Sequence, residues 1–193
     1  NAIMLAAQHG FKYEAELFRV CPWCGRTLAK PHDKPPVKVI NFFGGPGIGK
    51  STTAAEVFQK MKLMQLNVEL VTEYAKDVTW RGMTKVLQDE LYVFAKQQHR
   101  IRMCSDQVEY IVTDSPLVLP LIYDRDNRAC FKPLVMEVFN EYENYNFLLT
   151  RTKPYAAVGR SQTESQAREV DGEIENLLTE LNLPYYRINT EEA

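Results

Sequence analysis

The chain predicts an α/β protein: a doubly covered parallel sheet of about five strands, with a small N-terminal appendage. Three observations lead there. From residue 37 on, short runs rich in β-branched and aromatic residues alternate with helical stretches. The first run, Val37–Phe43 (VKVINFF), is nearly continuous in apolar character, as suits a strand buried on both faces. That run leads into a glycine-rich turn and then a helix start, the strand–turn–helix unit of parallel sheets.

Bulk composition agrees. With 193 residues, 45% apolar and 25% charged, the chain has room for one ordinary domain plus an appendage. The formal net charge of −2 argues against a broad nucleic-acid-binding field and leaves room for a local basic patch. No run is long and apolar enough to span a membrane. The opening NAIMLAAQHGFKYEAELF lacks the basic-then-apolar order of a secretory signal, and four cysteines are too few for a disulfide scaffold. A cytoplasmic, reducing setting is expected.

Residues 1–34 are expected to form the appendage and 35–193 the main domain. Ala2–His9 and Tyr13–Val20 read as short helices broken at Gly10. Cys21 and Cys24 then form a Cys-x-x-Cys-Gly element, half of a zinc knuckle, to be completed either by His9 and His32 as Cys₂His₂ or by ligands from a preceding segment or another copy of the chain. A tight turn with two free thiols and a redox pair are the alternatives. Pro31, Pro35 and Pro36 mark a linker.

The main domain follows in order. After Val37–Phe43, a helix carries Ala54, Val57, Phe58 and Met61 on its inner face. Asn67–Thr72 is the second strand, followed by Glu73–Asp77 as a loop. Val86–Cys104 reads as one long helix with Leu87, Leu91, Phe94, Ala95 and Ile101 inward, and with Gln97, Gln98 and His99 on an exposed polar face. The alternative for a glutamine there is to read a base edge. Tyr110–Thr113 is the third strand, Arg128–Glu143 a helix, Tyr145–Leu149 the fourth strand, Thr163–Leu181 a helix and Tyr185–Ile188 the last strand.

The chemistry gathers at the carboxyl ends of these strands. Gly44, Gly45, Gly47, Gly49, Lys50 and Ser51 match G-x-x-x-x-G-K-[ST], with Thr52 next in the helix. Glycines let backbone N–H groups surround a phosphate chain, Lys50 neutralises the β/γ-phosphates, and the Ser51 hydroxyl suits Mg²⁺. Asp114 ends the third strand in IVTDSP, where an acid works with Ser51 on the metal, or else caps the turn before Pro116. Ser115 beside it is a phosphate contact or a cap. Glu73 ends the second strand on the same edge, placed to accept a proton from an attacking hydroxyl. Tyr74 and Trp80 stack on a flat ring or belong to the core. Arg151–Arg168 reads as a lid, with Arg160 and Arg168 the best cations for transition-state charge and Arg151 and Lys153 weaker ones.

The order FFGGPGIGKSTTA, VELVTEYAKD, YIVTDSPL and YNFLLTRTKPYAAVGRSQTESQAREVDGEIENLL, then LPYYRI, resembles the nicotinamide-riboside-kinase-like P-loop group. Within it the small kinase-like ATPases of tailed bacteriophages are nearest, and the likeness covers about residues 37–190. The resemblance implies a P-loop NTPase/kinase-like fold, ATP and Mg²⁺ as cofactors, Lys50 and Ser51 as their ligands, and Asp114 as the Walker B-type acid. It also puts Glu73 beside the acceptor and Arg160 and Arg168 in the lid. Lys76 stands where Arg is common. The implied activity is transfer of the γ-phosphoryl group to a hydroxyl of a nucleoside, nucleotide or modified base, in the host cytoplasm for a phage-encoded chain. The group includes kinases of 5-hydroxymethyluracil in DNA, which makes DNA an alternative acceptor. A regulatory NTPase switch or a binding module are the other readings. No Asn-Lys-x-Asp motif for guanine follows, and the chain is too short for the helical second domain of a motor ATPase.

Overall fold

The computed structural model describes residues 35–126, 128–152 and 163–189. The chain divides into units Asn1–Pro35 and Pro36–Ala193. The expected N-terminal helices, Cys21, Cys24, His9 and His32 lie outside the described residues.

The second unit runs β1 (Lys38–Phe43), α1 (Lys50–Leu63), β2 (Val68–Val71), α2 (Tyr74–Trp80), a 3₁₀ turn (Thr84–Gln88), α3 (Glu90–Ser105) and β3 (Tyr110–Thr113). It continues with α4 (Pro120–Tyr123), α5 (Phe131–Phe139), β4 (Glu143–Thr150), α6 (Glu164–Glu180) and β5 (Tyr186–Asn189). All strand pairs are parallel, in the order β2-β3-β1-β4-β5. β1 is therefore central, pairing with β3 at Lys38–Tyr110 and with β4 at Lys38–Glu143.

Alternation along β1 splits the core into two layers. Val39 and Phe43 face a cluster with Phe94 and Ile101 of α3, Val135 and Phe139 of α5, and Ile174 and Leu178 of α6. Phe94 and Phe131 meet edge to face at 5.8 Å, a favoured aromatic geometry. Phe42 faces the other way, toward Ala54 and Met61 of α1. The expected sheet with helices on both faces is the observed one. Between β1 and β4 the core also holds a polar seam. The buried Asn41 donates through Nδ2 to Asn144 Oδ1 at 2.9 Å and to Asn146 Oδ1 at 3.1 Å, and Asn146 in turn donates to the Pro184 carbonyl.

Three element readings need correction. Tyr74–Trp80 is helix, with Glu73 as its N-cap residue, where a loop was expected. The long helix does not begin at Val86: a 3₁₀ turn comes first, and Asp89 caps α3 by accepting from Tyr92 N at 3.2 Å. Leu91 and Ala95 turn outward, and the buried stripe of α3 is Val93, Phe94, Gln97 and Ile101. The helix expected over Arg128–Glu143 is only Phe131–Phe139, because Asn140 ends it and β4 starts at Glu143.

Candidate active site

β1 delivers its last residue, Phe43, to the glycine-rich loop Gly44–Gly49. Gly49, the N-cap position of α1, has φ of 110°, a region that favours glycine and lets the loop turn sharply into the helix. Lys50 opens α1. Its Nζ donates to the Gly44 carbonyl at 2.5 Å and to the Gly45 carbonyl at 3.1 Å. Burial pushes its ammonium below the usual lysine range, while the carboxylates of Glu73, Asp114 and Asp171 pull the other way. Such a cation favours the arrival of a further anion. Ser51 and Thr52 are exposed on the first turn of the helix.

The acids at the ends of β2 and β3 come together. Asp114 is 3% exposed, and its Oδ1 accepts from the Glu73 backbone N–H at 3.0 Å. Burial raises the Glu73 carboxyl above the usual glutamate range, against the opposing pull of Lys50. Glu73, Asp114 and Lys50 thus form one electrostatic group, in the crevice where the strand order reverses about β1.

Gln97 is the residue sequence reasoning missed. It is 2% exposed, not on an open polar face. Its Oε1 accepts from Tyr74 N at 2.9 Å and its Nε2 donates to the Thr72 carbonyl at 3.3 Å, so it grips both neighbours of Glu73. Arg100, one turn on, donates to the same carbonyl at 3.1 Å, pairs with Asp77, and lies 5.2 Å from the Tyr74 ring centroid. The available signal was position: Gln97 lies four residues from both Val93 and Ile101, which fixes it on their face.

Of the remaining expected residues, Arg168 sits on the first turns of α6 and pairs with Glu164 at 2.8 Å; it also lines a cavity of about 240 Å³ beside the loop, with Ile48, Thr150, Arg151, Asp171 and Arg187. Arg160 and Lys153 lie outside the described residues. Trp80 is 78% exposed and joins no core, whereas the Tyr74 ring packs edge-on against Tyr92. Two further groups were not foreseen. Tyr123 is pushed up to about 12 by burial and by Glu73, Glu90, Glu173 and Asp171 around it. Glu90 is raised to about 7 by burial and by Asp124 and Asp89. Among the described residues no group of three or more His, Cys, Asp or Glu is arranged to hold a metal ion. Nor is any helix there long and apolar enough to cross a membrane.

A family model described as an AAA domain matches residues 39–193. Among solved structures, the chain is similar to thymidylate kinase from Ehrlichia chaffeensis, with a TM-score of 0.54 at 13% identity over 80% of this chain and 88% of that one. It is also similar to deoxyadenosine kinase from M. mycoides with bound dATP, with a TM-score of 0.50 at 18% identity over 79% of this chain and 91% of that one. The fold is that of the P-loop kinases. No curated protein matches significantly in sequence.

Proposed function

Since the chain belongs to the AAA-domain family over residues 39–193, we propose that it is a phosphotransferase moving the γ-phosphoryl group of ATP to a hydroxyl of a nucleoside-like acceptor. One observation carries this reading: a half-buried carboxyl, Glu73, is fixed through its own backbone to Asp114 and shares a field with the phosphate-loop Lys50. A positioned carboxylate at this point suits a proton acceptor for an attacking hydroxyl, and the likeness of the fold to thymidylate and deoxyadenosine kinases favours the hydroxyl of an acceptor over that of water.

In this reading the loop N–H groups and Lys50 bind the triphosphate, and the cavity beside Ile48 receives the base. Lys50 exchanges its bonds to the Gly44 and Gly45 carbonyls for phosphate oxygens. Glu73 orients the acceptor hydroxyl and takes its proton as the new bond forms. Ser51 and Asp114 offer hard oxygen donors that suit Mg²⁺, with the remaining ligands coming from phosphate and water. When bound, that ion neutralises charge on the phosphate oxygens. Arg160 and Arg168 are the lid cations in the same reading. The likeness of the fold to thymidylate and deoxyadenosine kinases supports a nucleoside-like acceptor.

The test is transfer of labelled γ-phosphate to a panel of nucleosides, nucleotides and hydroxymethylated DNA. Labelling of one class, lost in Glu73→Gln with ATP binding retained, is the expected result. Hydrolysis stimulated by a partner, with no acceptor labelled, would establish the NTPase switch instead.

A further inference from the structure

Behind the phosphate loop, on the wall of the cavity beside Ile48, lies an ion pair to which the proposed reaction gives no part in bond making. Arg151 directly follows β4, and Asp171 lies in the middle of α6. Their side chains are 4% and 24% exposed. The guanidinium meets the carboxylate twice, Nε donating to Oδ2 at 3.0 Å and Nη2 to Oδ1 at 3.3 Å. Each partner also holds the loop. Asp171 Oδ1 accepts from Gly45 N at 2.6 Å, and Arg151 Nη2 donates to the Pro46 carbonyl at 3.0 Å. A Cβ on Gly45 would lie 2.6 Å from Asp171 Oδ1 and 2.7 Å from the Ala167 carbonyl, so glycine is what lets α6 approach this near.

A buried ion pair is a poor source of stability, since an apolar pair of equal volume often does as well. What a two-pronged Arg–carboxylate contact supplies is geometry. Here the geometry is applied to consecutive residues, Gly45 and Pro46, inside a loop whose N–H groups must converge on a phosphate. Small displacements of such groups weaken binding steeply.

We propose that Arg151 and Asp171 are positioning residues that clamp the phosphate loop, through Gly45 N–H and the Pro46 carbonyl, into the shape that receives a triphosphate. The proposal rests on the reading of Gly44–Ser51 as the ATP-binding loop. The pair acts through the loop backbone and takes no part in bond making.

Calorimetric titration of ATP and of inorganic tripolyphosphate into Asp171→Asn and Arg151→Lys tests it. Both ligands should bind about tenfold more weakly in each variant. A variant that melts earlier yet binds both ligands as tightly as the parent chain would overturn the clamp. Hydrogen exchange on the unmodified protein gives an answer even if a variant does not fold. Gly45 N–H should be protected without nucleotide, and exchange as fast as that of an open loop amide overturns the proposal. If the parent chain binds ATP but labels no acceptor, the kinase reading fails while the titrations still decide the clamp.

Discussion

Glu73 is held on three sides before any ligand arrives: Asp114 takes its N–H, and Gln97 and Arg100 fix the peptide groups beside it. Glu73→Gln should therefore keep the fold and ATP affinity while transfer falls about 10²–10⁴-fold, measured with labelled ATP. In its proposed role as base Glu73 works deprotonated, and its carboxyl is raised by burial. Activity is then lost as pH falls through that raised value, so the acidic limb of the kcat/KM profile should lie above the ordinary glutamate range and vanish in Glu73→Gln. Gln97→Leu fills the same space but leaves Tyr74 N–H without its buried acceptor. It should cost about 1–3 kcal/mol in denaturant melts and lower kcat about tenfold with the KM for ATP unchanged. At this scale Lys50, Glu73 and Asp114 were legible, because motif and strand end fix their places. Gln97 was not, because its amide reads as solvent-facing until the backbone groups it satisfies are seen.

Helix boundaries were less legible than helices. α3 shows why. Its apolar residues Leu91, Phe94, Ala95 and Ile101 suggest one face, yet the buried stripe keeps only Phe94 and Ile101 of these and adds Val93 and Gln97, because Gln97 turns in to satisfy the backbone after β2. α2 hid for a related reason. Its seven residues include a β-branched pair, Val78 and Thr79, and an open Trp80, which carry little helical periodicity. Glu90 in the first turn of α3 gives a prediction at this level. Its carboxyl sits at about 7 when folded against an ordinary 4.5 when unfolded. The folded state therefore holds more protons across that window. Stability from this group is full below the unfolded value and is lost as pH rises through the folded one. Glu90→Gln should flatten the decline in melting temperature between pH 5 and pH 7, roughly the window between those two values.

At the level of the whole molecule, nucleotide binding and folding are one equilibrium, since the loop exists only where β1, α1 and α6 meet. ATP at about a hundred times its Kd should stabilise the protein by about 2.7 kcal/mol. That corresponds to a rise of about 5–10 °C in Tm for a chain of this size, and scanning fluorimetry reads it directly. Lys50→Met should abolish the rise. The parallel sheet was legible from its apolar runs alternating with helices. Its strand order was not, because pairing of β1 with β3 and β4 is set by contacts far apart in sequence. The Arg151–Asp171 contact is equally silent, since no spacing rule ties residue 151 to residue 171.

The central place of β1 bears on how the chain is made. Of the described strands β1 leaves the ribosome first, and both of its neighbours come late, at Tyr110–Thr113 and Glu143–Leu148. At ordinary synthesis rates its second edge waits about 5–20 s for β4. Throughout that interval VINFF is an apolar strand with open edges, the kind of segment that recruits chaperones or pairs with the wrong partner. A ribosome-bound chain halted before residue 143 should thus fail to retain ATP, while one long enough to release β5 retains it.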